Sequence, residues 1–109
     1  MKLHNLQNFT RGWVVGNFEN NLYKKDYELG FKYYKAGDYE KAHYHLMSDE
    51  ITIILSGVVE INNVRYGQGM IITQEKGEAS DFRCIEDAIT AVYRSDASVP
   101  NDKYFKKEE

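Results

Sequence analysis

The sequence predicts an all-β fold, a small antiparallel sandwich or barrel, and three observations carry the prediction. Apolar and polar residues alternate with a period of two over most of the chain. Apolar stripes at helical spacing are nearly absent. Glycines and Asn pairs punctuate the alternating runs at short, regular intervals, as in a chain that folds back on itself strand after strand.

The elements follow in order. A first strand is expected within residues 10–18, with a turn at Asn20 and Asn21. From Tyr27 the run Tyr-Glu-Leu-Gly-Phe-Lys-Tyr sets Tyr27, Leu29, Phe31 and Tyr33 on one face and Glu28, Gly30 and Lys32 on the other. Residues 35–38 (Lys-Ala-Gly-Asp) read as a turn. Strands are expected over 42–46 and 51–56; Gly57 interrupts the second and 58–61 continue it. Asn62-Asn63 is a hairpin signal, because Asn tolerates a positive φ. Strands over 64–66, 70–73, 80–84 and 88–94 complete the series, with a Gly-Gln-Gly turn at 67–69.

Composition narrows the class. The 109 residues suit one domain, with a core over about 26–100, an N-terminal arm over 1–25 and a mostly solvated tail over 102–109. Nine Tyr and an aromatic content of 14% supply enough bulk for a core and argue against disorder. A net charge of -3 without a Lys/Arg cluster speaks against nucleic acid as partner. The single cysteine, Cys84, excludes an internal disulfide and a Cys-rich zinc site. No signal-peptide pattern and no run of 18 apolar residues is present, so a cytoplasmic protein without membrane contact is expected.

Two histidines stand out. His43 and His45 are two apart, so on a strand both rings leave the same face at ~7 Å, close enough to converge on one ion. Glu50 follows after a four-residue connection suited to a turn, and the next strand can return its carboxylate beside them. Two imidazoles and a carboxylate suit Fe(II), Mn(II), Ni(II) or Zn(II). The alternative is two hydrogen-bonded, partly buried histidines and a solvated glutamate, and the pair by itself leaves both open.

The wider spacing is Gly37, five residues, His43, one, His45, four, Glu50, six, Gly57. It resembles the first motif of the cupin superfamily, in which all five positions match. The chain is similar to the small single-domain, RmlC-like cupins. The resemblance implies a double-stranded β-helix, or jelly-roll barrel, with the ligand site inside and a divalent metal on His43, His45 and Glu50. The second cupin motif is degenerate: Gly69 and Gly77 match, but Glu75 stands at the expected Pro and Ser80 at the expected fourth ligand, His. Asp81 is a better donor than Ser80 but belongs to the opposite face of the strand. Three protein ligands would leave open positions for water or substrate, the arrangement of oxygen-activating non-haem iron enzymes.

Tyr33, Thr52, Ser80 and Phe82 have the parity to line the pocket, with Ile54 and Val92 as interior packing. Arg11, Arg65, Arg83 and Arg94 are scattered along the chain, and one of them could hold an anionic group of a ligand. Cys84 reads as a small core residue and His4 as exposed. Three functions follow. The first is a metal-dependent, oxygenase-type site for a small polar molecule. The second is a metal-free sugar-nucleotide isomerase or epimerase, with His43 or His45 as base and Tyr33 or Tyr93 opposite. The third is a non-catalytic binding module. The apolar face of Ile51, Ile53 and Leu55 needs a cover, and a homodimer is expected to supply it.

Overall fold

The structure, a computed structural model, describes residues 1–107; the last two residues of the expected tail lie outside the described residues. Two 3-10 turns, Leu6–Asn8 and Thr10–Gly12, precede β1 (Trp13–Gly16) and β2 (Tyr23–Lys24). Then come β3 (Glu28–Tyr34), β4 (Tyr39–Tyr44), β5 (Glu50–Ile61), β6 (Val64–Tyr66), β7 (Ile71–Gln74), β8 (Ser80–Arg94) and β9 (Tyr104–Phe105). The runs expected at 51–56 and 58–61 form one strand, as do those at 80–84 and 88–94. The strand expected over 42–46 begins earlier and stops at Tyr44, so His45 lies just beyond it.

Strands β5 and β8 are antiparallel along most of their lengths and form the spine. On its other side the first half of β8 pairs with β4 and the second half with β3. Irregularities between Ile54 and Val59 bend the spine midway. Gly57 sits at that bend with φ 85°, and a Cβ there would come within 2.2 Å of the Asp87 carbonyl oxygen. Only glycine meets both conditions. Asn62 and Asn63 both adopt positive φ, as the hairpin signal predicts.

Register decides which face of each strand looks inward. The rows Glu28–Arg94–Glu50–Gln74 and Gly30–Val92–Thr52–Ile72 run side by side across β3, β8, β5 and β7. The neighbouring rows, Leu29–Tyr93–Ile51–Thr73 and Phe31–Ala91–Ile53–Ile71, belong to the outer face. The apolar face of β3 therefore points out and its polar face points in. Tyr33, expected in the pocket, pairs with Ile89 on the outer face and is 69% exposed; Tyr34 takes the interior position. Tyr93 also lies outside, which removes both tyrosines considered as partners of a histidine base.

The core is the cluster Ile54, Val59, Phe82, Cys84 and Ala88, with Tyr34, Ile61, Tyr66 and Ile72 packed against it. Cys84 is buried there as a free thiol, as its parity suggests. Burial pushes its pKa up, away from nucleophilic use. The C-terminal segment is less free than its charged composition suggests. Asp102 is buried; its carboxylate accepts the backbone N–H groups of Leu46 and Met47, each at 3.0 Å. Beyond it β9 pairs with the end of β4.

Candidate ligand cavity

A cavity of about 470 Å³ opens between the inward faces of the strands. That volume lies in the range of small-molecule sites. His43, His45 and Glu50 all line it, together with Thr52, Ser80 and Phe82. Phe82 is also core, its ring centroid 4.5 Å from that of Tyr34.

The histidines meet as their spacing predicts, with ring centroids 5.4 Å apart and the rings nearly perpendicular. Each Nδ1 faces a carbonyl: that of Lys41 at 3.0 Å from His43, and that of Asp102 from His45. A carbonyl only accepts, so Nδ1 carries the proton in both rings and Nε2 keeps its lone pair. Outer-sphere carbonyls of this kind set the tautomer that ligates metals. The Nε2 of His45 is buried and has no hydrogen-bond partner. Burial holds the His43 pKa below the usual histidine value, and the Lys41 carbonyl opposes it only in part. His43 is therefore neutral, and a ligand or base, near pH 7.

Glu50 departs from expectation. It lies directly opposite Arg94 in the β5–β8 register, and its Oε1 accepts from Arg94 Nε at 3.1 Å. Among the described residues no three His, Cys, Asp or Glu side chains converge to hold an ion. The imidazole pair thus fits a metal, while the third donor is claimed by a guanidinium. Ser80 is not a free donor either: its hydroxyl donates to Gln74 Oε1 at 2.7 Å. Gln74 in turn donates to the carbonyls of Glu78 at 2.6 Å and His43 at 3.3 Å, which ties β7 to β4. Asp81 accepts the Asn62 N–H at 2.7 Å and braces the β5–β6 hairpin.

Several cavity residues escaped the sequence reading. Glu28, Lys32, Tyr34, Gln74 and Thr90 line it, and so does Trp13. Trp13 is buried on β1, its ring over Gly30, where a Cβ would approach the indole to 2.6 Å. A glycine inside an alternating strand was the available signal. The arginines, scattered in sequence, are not scattered in space: Arg11 and Arg94 both reach the cavity. The sequence reading allowed one arginine at the ligand, and the structure brings two to the cavity.

No family model and no curated protein matches the sequence. Solved structures do match the fold. The DMSP lyase DddQ from Ruegeria pomeroyi superposes with a TM-score of 0.68 at 19% identity, over 89% of this chain and 52% of the lyase. A conserved protein with a double-stranded β-helix domain from Klebsiella pneumoniae gives 0.65 at 14% identity, over 76% and 72%. A cupin-2 domain protein from Shewanella frigidimarina gives 0.56 at 19% identity, over 63% and 70%. The chain has the cupin fold, a double-stranded β-helix, as its histidine motif implies. Within that fold it encloses a cavity among the described strands' inward faces, and it spans about half the length of the lyase.

Proposed function

We propose that this cupin takes a small polar molecule into the barrel and engages it at His43 and His45, which also serve as the protein ligands of a divalent ion. One observation carries the reading: Nε2 of His45, the acceptor atom of the neutral ring, is buried and unpartnered. A buried acceptor without a partner costs about 1–3 kcal/mol, and an occupant of the cavity would remove that cost. His43 presents a second Nε2 in the same tautomer. Glu50 is the third candidate donor, and Arg94 competes for it. When bound, an Fe(II), Mn(II), Ni(II) or Zn(II) ion would polarise an oxygen of the ligand as a Lewis acid. Oxygenase-type turnover is the finer form of this reading.

The test is thermal unfolding of metal-stripped protein titrated with each of these ions, alongside His45→Ala. Ligation predicts a rising melting temperature in the wild type and none in the variant. No shift with any ion overturns the metal part of the reading. The metal-free reading keeps one supporting observation, the neutral His43. It predicts turnover that survives exhaustive chelation, with Tyr34 as the interior tyrosine.

We also propose a homodimer through the outer face of β3, β8, β5 and β7. Leu29, Phe31, Ile51, Ile53, Ile71 and Tyr93 form two adjacent rows there without a charged residue. Two of them are exposed, Ile71 at 59% and Tyr93 at 37%, and the other four are half-buried. Such a face suits a self-complementary interface.

A further inference from the structure

Three cations, Arg11, Lys32 and Arg94, line the cavity together. Lys32 Nζ lies 3.8 Å from the centroid of the Trp13 ring and donates to the Arg11 carbonyl. The Arg94 guanidinium carbon lies 5.2 Å from the same centroid. Among the described residues no carboxylate comes within ion-pair distance of Lys32 or Arg11, and Glu50 engages Arg94 through Nε alone. Directly across the β3–β8 pair from Lys32 stands Thr90, whose buried hydroxyl oxygen has no hydrogen-bond partner. Two cations with donor capacity to spare and one unpartnered hydroxyl thus gather around one indole on a cavity wall.

We infer that Lys32, Arg94 and Thr90, beside Trp13, form a subsite for the carboxylate of a small organic acid. The inference deepens the ligand reading above by naming the charge class of the molecule. Lys32 and the free edge of Arg94 supply charge-assisted donors, and Arg is suited to planar carboxylates. The remainder of the cavity has apolar walls at Ile61, Tyr66 and Ile72, which suit an organic body rather than a bare ion. Glu28 and Glu50 flank Arg94 in the same row, so one added negative charge is tolerated better than the two of a phosphate.

Electrostatics agree. Burial first, then the charges of Arg94 and Arg11, lower the Lys32 pKa to about 8, against the opposing pull of Glu28 and Glu40. A bound carboxylate would stabilise the ammonium, so its affinity should fall as pH rises from 7 to 9. The charged groups facing Lys32 are Arg94 on β8, Arg11 in the second 3-10 turn, Glu28 on β3 and Glu40 on β4.

The experiment is thermal unfolding of metal-stripped protein with butyrate and glucuronate, against butyramide, glucose and inorganic phosphate at matched ionic strength. Expected is a saturable rise with a carboxylate and none with the neutral compounds, weakened at least tenfold by Lys32→Met and by Arg94→Met. Should either variant fail to fold, Lys32→Gln and Arg94→Gln carry the same comparison. No carboxylate response, a response to phosphate alone, or a response unchanged in the variants would overturn the inference. A carboxylate response without a metal response would support this subsite and remove the metal reading; the reverse would overturn the subsite alone.

Discussion

His45 shows how much a single residue carries. It is 2% exposed and bonded through Nδ1 to the Asp102 carbonyl. Truncation to Ala removes that bond and leaves a void, so His45→Ala should cost about 1–3 kcal/mol in urea unfolding even without metal. The sequence alone suggests a smaller loss, because it gives no hint that Asp102 reaches back to the ring. Asp102→Ala should cost a similar amount, since two backbone donors of the β4–β5 connection lose their acceptor. Gly57→Ala should cost at least about 1–2 kcal/mol from its left-handed backbone alone, before the clash with Asp87 is added. Lys32 makes a pH prediction. Its folded pKa of about 8 lies below the ordinary 10.5, so the unfolded chain binds the proton more tightly. The wild type should therefore gain stability relative to Lys32→Met as pH rises from 8 to 10, measured as the difference between two urea curves.

Among the elements, β3 carries the main lesson. Its alternation was plain in the sequence, but the side that faces the cavity was not. A half-buried strand normally turns its apolar face to the core. Here Glu28, Lys32 and Tyr34 line the cavity while Leu29, Phe31 and Tyr33 lie outside, because a cavity replaces a packed core on the inner side. β5 obeys the same rule, with Thr52 inside and Ile51 and Ile53 outside. The two apolar outer faces are adjacent through β8, and covering them is the physical case for a second copy. The double substitution Tyr33→Lys with Ile71→Lys places charge at exposed positions of that face. It should leave the fold intact and convert a dimer to a monomer in light scattering; a wild type that is monomeric at every concentration would remove the proposal.

For the whole molecule, the cavity couples occupancy to stability. A ligand that binds only the folded chain at a hundred times its Kd adds about 2.7 kcal/mol. For a domain of this size that is on the order of 10 °C in Tm. Glu50, the third candidate donor, is bonded to Arg94 of the carboxylate subsite, so occupying both subsites together should produce shifts that depart from additivity. Calorimetric scans with Mn(II), with butyrate and with both would measure this directly.

The sequence by itself determined the all-β class, the order of the strands, the hairpin at Asn62-Asn63 and the meeting of His43 with His45. These follow from local spacing: a period of two, a backbone that tolerates positive φ, and side chains two residues apart on one face. Tertiary structure alone decided that Glu50 faces Arg94, that Trp13 covers Gly30, that Asp102 sets the tautomer of His45, and that Arg11, Lys32 and Arg94 gather in one cavity. Each of those depends on the register between strands far apart in the chain, and a one-residue slip in register exchanges the inner face for the outer.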